Sequence, residues 1–289
     1  MLADMHVHTR YSHQTIFFYD GVDTPETMVK AAKHAGLDAV AITDHDSLKG
    51  IRRAVEEGKR QGILVIPGCE VSSRSGHILA YGITEEIPPN LSAEETIERI
   101  HEQGGVAVAA HPFSGFGVSL MFDTLELPFD GVEAWNASVM DTWQNSLAEK
   151  LADHMGVAKL AGSDAHSKEM VGYGVTELPE GDVDDVIEAI RRGETYVFRR
   201  GIIPLIVRAR WLKRRAELNK EYTREYLRRS KGLIPLAYLY IFLLKLPPVF
   251  DYVYLPPAVL TLSLLRRLSK KRYVELSTAL REMAKQQPL

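Results

Sequence analysis

Seven of the chain's ten histidines stand in or beside short apolar runs, and two carboxylates stand in matching places. The first group is Asp4-Met5-His6-Val7-His8, with Ser12-His13 close behind. On a strand, residues i and i+2 point to the same face, so His6 and His8 aim two imidazoles at one point. Neutral imidazole is the commonest metal ligand among side chains. The same grammar recurs in Thr43-Asp44-His45-Asp46, Gly68-Cys69-Glu70, His77, Ala110-His111-Pro112 and Ser163-Asp164-Ala165-His166. The other three histidines, His34, His101 and His154, fall inside helix-like segments. A His-x-His pair by itself is as often structural as ligating; the repetition of the pattern is what points to a metal cluster.

These residues must be brought together by the elements that carry them. Apolar runs at 2–7, 39–43, 63–67, 77–83, 106–110, 131–136 and 157–162 read as strands, and 25–35, 47–61, 92–104, 143–155 and 182–193 as helices. Ser92 begins a capping-box pattern, Asp46 suits an N-cap for 47–61, and Gly193 is a stop signal. Strands alternating with helices imply parallel βα units. Seven such units in about 200 residues fit a small closed barrel better than an open sheet, and the reactive residues then collect at the strand ends. No glycine-rich phosphate loop follows the first strand, which weakens a dinucleotide-binding alternative.

In their order and spacing these motifs resemble the PHP (polymerase and histidinol phosphatase) family of metal-dependent phosphoesterases, over roughly residues 1–200. The resemblance implies a distorted seven-stranded β/α barrel and a cytoplasmic metal-dependent phosphoric ester hydrolase holding two or three divalent ions. It implies that His6, His8, Glu70 and Asp164 hold one ion, that Glu70 bridges to a second held by His77 and His111, and that His13, His45 and His166 hold a third. Many relatives have the aspartate of a Ser-Asp-Gly sequence where this chain has His13, and Asp44 would handle protons or support His45. The residues expected to act directly in catalysis are Asp44, Glu70 and His166. Mixed imidazole and carboxylate donors suit Zn²⁺, Mn²⁺ or Fe²⁺ better than Mg²⁺ or Ca²⁺. Clustered ions lower the pKa of bound water toward about 7 and neutralise phosphoryl oxygens, so attack by a metal-bridging hydroxide on a phosphomonoester is expected. Only about fifty residues separate His111 from Asp164, too few for a large covering insert, so the pocket is expected to be open.

Composition divides the chain. Residues 1–198 carry 15 Lys and Arg against 32 Asp and Glu, net −17, and residues 199–289 carry 20 against 6, net +14. Such asymmetry argues for two parts, a catalytic barrel at 1–200 and a basic, mainly helical extension at 201–289. The acidic part would not draw a long polyanion by electrostatics, which disfavours a nuclease acting on nucleic acid ends relative to a phosphatase for small metabolites or nucleotides. One cysteine, Cys69, excludes an internal disulfide and suits a reducing compartment, and no secretory leader is expected, because the first motif starts too early to leave room for one. In the extension, a basic amphipathic segment at 205–231 precedes an apolar stretch at 232–265 and a basic cluster at 266–272. The apolar arms are shorter than the roughly 20 residues of a membrane span. Residues 205–272 therefore suit either peripheral attachment to an anionic membrane or packing on the barrel or a second subunit, with nucleic acid third. A non-catalytic metal-binding module tethered by its tail is the alternative outside enzymes.

Overall fold

The computed structural model describes residues 1–13, 18–114, 119–139 and 141–229, with Val274 and Thr278. The apolar stretch at 232–265 and the basic cluster at 266–272 lie outside the described residues. No helix among the described residues is long and apolar enough to cross a membrane.

Nine strands form one sheet: β1 (Leu2–Asp4), β2 (Ala39–Ile42), β3 (Leu64–Ser72), β4 (His77–Tyr81), β5 (Val106–Ala109), β6 (Gly131–Asn136), β7 (Ala158–Gly162), β8 (Gly174–Glu177) and β9 (Tyr196–Arg199). Their order is β7-β6-β5-β4-β3-β2-β1-β8-β9. β1 to β3 run parallel, as do β5 to β7, while β4 is antiparallel to both its neighbours. The sheet nearly closes where β1 and β7 run on past their ends. Val7 pairs with Ala165 in a parallel bridge, and the His8 amide donates to the Ala165 carbonyl at 2.8 Å. Lower down, the Thr176 hydroxyl of β8 accepts from the Ala161 amide at 2.8 Å and donates to the Ala161 carbonyl at 2.9 Å. The result is a distorted β/α barrel, as expected, with two more strands than the seven read from the sequence. β8 escaped because Val175 is its single large apolar residue, and β9 because Tyr196–Arg199 is largely exposed and ends in a charge.

Alternate residues of the strands fill the barrel: Ala3 and Met5, Ala39 and Ala41, Leu79 and Tyr81, Val106 and Val108, Ala158 and Leu160. This is the period of two that a pleated strand imposes. Helix α5 (Val183–Arg191) plugs one end with Val186, Ile187 and Ile190. Its start is fixed by a capping box between Asp182 and Asp185. Helices α1 (Pro25–His34) and α2 (Ile51–Gln61) cover one outer face, and α3 (Ala93–Glu102) and α4 (Trp143–Met155) another. Helix α2 starts four residues later than the sequence suggested, with Gly50 as its N-cap. Asp46 therefore caps no helix; it has φ +51° and accepts from the Ser72 amide at 2.7 Å. Gly193 follows α5 with φ +69°, as a helix stop does.

Two further helices, α6 (Leu205–Leu218) and α7 (Lys220–Arg229), follow the barrel. Several basic residues of α6 face the barrel rather than solvent. The Arg208 guanidinium donates to the carbonyls of Ala137 at 3.0 Å and Val139 at 3.3 Å, and Arg214 pairs with Asp23 at 2.6 Å and Glu169 at 3.2 Å.

Candidate metal centre

Strand pairing sets the site. β3 continues well past β2, which places Glu70 within a strand rather than at its end as read from the sequence, and bridges it to His45. The Glu70 carboxylate is 1% exposed and ringed by imidazoles. Oε1 lies 2.8 Å from His77 Nδ1 and 3.0 Å from His111 Nε2. Oε2 lies 3.2 Å from His6 Nε2, 3.2 Å from His8 Nε2 and 3.3 Å from His45 Nδ1. Burial alone would raise this carboxyl, but the facing imidazoles of His45, His77 and His6 hold it well below the usual range.

His6 and His8 point the same way, as their spacing requires, with their Nε2 atoms 3.0 Å apart. Asp164 Oδ1 lies 3.3 Å from His8 Nε2 and 3.7 Å from His6 Nε2. Burial works against charge on His8, but Asp164 and Glu70 overcome it and lift the ring to about 9. His45 moves the other way, to about 3, because burial and the neighbouring His8 and His77 outweigh Glu70. His166 stacks on His8 with ring centroids 4.3 Å apart. Three sets bring their donor atoms within 4.8 Å of one another: His6, His8 and Asp164; His45, Glu70 and His77; and His8, His45 and His166.

Backbone strain accompanies this convergence. His111 has φ +26° and Asp164 φ +53°, in the region that non-glycine residues avoid at a cost on the order of 1–3 kcal/mol. Gly162 makes room for the site: a Cβ there would lie 2.3 Å from the His6 Cβ and 2.8 Å from Glu133 Oε1.

Eight of the nine candidate ligands thus meet in one buried cluster; His13 does not join it. Among the described residues, His13 Nδ1 lies 2.5 Å from the Phe18 carbonyl, and its ring packs near Phe18 and Tyr19. The place foreseen for His13 is taken by Asp20. The Asp20 amide donates to the Ser12 carbonyl at 3.0 Å, which sets Asp20 beside Ser12. Ser12, Asp20 and Gly21 therefore form in space the Ser-Asp-Gly arrangement that the sequence interrupts. Asp20 is 1% exposed, and its Oδ2 lies 3.0 Å from His166 Nε2 and 3.8 Å from His45 Nε2. Despite burial, His166, Arg215 and His45 keep its carboxyl well below the usual range. The pair Asp20-Gly21 was a readable signal, hidden because seven residues separate it from Ser12.

Asp44 also lies apart from the reactive atoms. Its Oδ1 accepts from the Thr9 amide and its Oδ2 from the Thr9 hydroxyl at 2.7 Å, which ties the segment after His8 to the end of β2. Glu133 was missed. Its Oε1 lies 2.9 Å from His6 Nδ1, and its Oε2 accepts from the His111 amide at 2.8 Å. A partner on Nδ1 leaves Nε2 of His6 facing Glu70 and Asp164. Ser12 serves His8 in the same way, with Oγ 3.0 Å from Nδ1. A glutamate inside the otherwise apolar run of β6 was the available sign of Glu133.

Nitrogen and carboxylate donors that converge in this way, with their outer nitrogens held by Glu133 and Ser12, fit divalent transition ions better than all-oxygen-seeking cations. Residues 142–195 match the family model described as PHP-associated. An uncharacterised protein of Methanocaldococcus jannaschii is 41% identical over 152 residues, covering 51% of this chain and 89% of that protein. Phosphoribosyl 1,2-cyclic phosphate 1,2-diphosphodiesterase of Eggerthella lenta is 38% identical over 109 residues; the match covers 35% of this chain and 38% of that protein. A solved two-domain protein from Bacteroides vulgatus, containing a predicted PHP-like metal-dependent phosphoesterase, shares the fold with a TM-score of 0.56 at 19% identity, over 69% of this chain and 64% of its own. By its motifs, its barrel and these relatives, the chain belongs to the PHP family of metal-dependent phosphoesterases.

Proposed function

We propose that the chain hydrolyses a small phosphomonoester at a cluster of divalent ions. The observation that carries this reading is the divided Glu70 carboxylate, with His77 and His111 on one oxygen and His6, His8 and His45 on the other. In this proposal His6, His8, Glu70 and Asp164 hold one ion, and Glu70, His77 and His111 a second. A third falls to Asp20, His45 and His166, with Asp20 in the role first assigned to His13. Bound ions would supply Lewis acidity and an activated water at neutral pH. The chain's own residues do the rest. Glu133 and Ser12 fix the two leading histidines, Glu70 keeps its charge despite burial, and Asp20 and Asp164 flank His166 on its two ring nitrogens.

A phosphodiester substrate is the second reading, favoured by the diesterase activity named for the Eggerthella lenta relative. Nucleic acid ends are disfavoured by the net −17 of residues 1–198. The test is hydrolysis of p-nitrophenyl phosphate against bis-p-nitrophenyl phosphate by full-length protein loaded with Mn²⁺ or Zn²⁺. Faster turnover of the monoester is expected, and His8→Ala and Asp164→Ala should each lower it by at least about 100-fold, as loss of a positioned catalytic group does. Activity that persists in both variants would refute the proposal.

A further inference from the structure

Most candidate ligands stand on or just after strands, and the sheet fixes their direction. Asp20 does not. It lies outside the strands, and its amide donates to the Ser12 carbonyl. What holds Asp20 comes from the other end of the sequence. Trp211, Arg215 and Asn219 are spaced four apart, so they lie along one face of α6 and its C-cap. All three grip residues 19 and 20. Trp211 Nε1 donates to the Asp20 carbonyl at 3.3 Å, and Arg215 Nη2 pairs with Asp20 Oδ1 at 2.6 Å. The Asn219 side chain accepts from the Tyr19 amide at 2.8 Å and donates to the Tyr19 carbonyl at 2.8 Å. The Trp211 ring also rests against His166, with centroids 5.0 Å apart, and the Arg215 guanidinium lies 5.2 Å over the Trp211 ring. Arg215 and Asn219 are buried, at 9% and 1% exposure.

We infer that α6 is a working part of the metal centre: its Trp211–Arg215–Asn219 face positions Asp20 so that Oδ2 is presented to the His45 and His166 corner. Arg215 occupies Oδ1 and so leaves Oδ2 as the one oxygen turned inward. These three are positioning residues, acting through Asp20. The basic extension, on this account, begins with a segment that completes the barrel's site. The inference rests on the proposed ligand role of Asp20.

A nearby guanidinium also repels an incoming cation, and this opposes its orienting effect. Two substitutions separate the effects. Asn219→Ala changes no charge, and Arg215→Lys keeps the charge but loses the planar fork. Full-length protein would be dialysed to equilibrium against a range of free Zn²⁺ and its metal counted by elemental analysis. Loss of an outer-shell partner typically costs about 10–100-fold in metal affinity. Asn219→Ala and Arg215→Lys should each weaken one class of ion by that factor and leave the Glu70-centred ions unchanged, while Asp20→Asn should abolish the same class. If Asp20→Asn loses that class and the two α6 variants bind as the unsubstituted chain does, the positioning role is overturned. It is equally overturned if the α6 variants lose all ions together, because α6 would then support the whole barrel. Full metal content in Asp20→Asn would instead remove the ligand role of Asp20 on which the inference rests.

Discussion

Glu70 organises the site because a buried carboxylate needs compensating partners, and five imidazoles supply them. Its candidacy was legible from Gly68-Cys69-Glu70 and its bridging place was implied by the family resemblance; what was not legible is that it sits within β3 instead of at its end. His13 and Asp20 show the opposite case. Proximity in sequence favoured His13, five residues after His8, and the backbone bond from Asp20 to Ser12 gave the position to Asp20. His13→Ala is accordingly expected to leave metal content and turnover unchanged. Glu133→Gln removes the charged acceptor on His6 Nδ1, and is expected to weaken metal binding by about 10–100-fold. Competition with a chromogenic chelator measures both; a loss of metal in His13→Ala equal to that in Glu133→Gln would show that His13, and not only the Glu133-held pair, belongs to the centre.

At the scale of elements, the alternation of apolar runs and helices marked most of the barrel, with the start of α2 misplaced by four residues. Asp46 looks like an N-cap by type, yet its side chain reaches the Ser72 amide across to β3, and α2 begins at Ile51. Local propensity was overridden there by pairing between neighbouring strands. β7 carries a sharper constraint. It ends at Gly162, against which His6 packs, and the Gly162 carbonyl would lie 2.0 Å from a Cβ on Gly174. A methyl at either position meets backbone or a site residue, so the strand cannot yield cheaply. Gly162→Ala should therefore destabilise the protein by about 1–3 kcal/mol, the usual cost of overpacking, and displace His6. Thermal unfolding reads the first effect and metal uptake the second; an unchanged midpoint with full metal uptake would contradict the packing shown here.

The whole molecule gathers carboxylates and histidines from distant parts of the chain into one buried volume, and its stability should register what neutralises them. Glu70, Asp164, Asp20 and Glu133 are all drawn into that volume. Ions that bind the folded chain and not the unfolded one stabilise it by about 2.7 kcal/mol at 100 times Kd. Adding Zn²⁺ or Mn²⁺ to chelator-treated protein is expected to raise the melting temperature, and Mg²⁺ at equal concentration to raise it less. Calorimetric scans check this, and equal shifts for all three would argue against the nitrogen-rich centre. By itself the sequence determined the family, the barrel and eight of the nine residues proposed as ligands, because residue type and strand period already restrict which side chains can converge. Only the tertiary structure decided that Asp20 takes the place read for His13, that Glu133 holds His6, and that the extension returns through α6 to the metal centre. Those three depend on the backbone bond from Asp20 to Ser12 and on contacts between residues 127 and 195 positions apart, which no local spacing encodes.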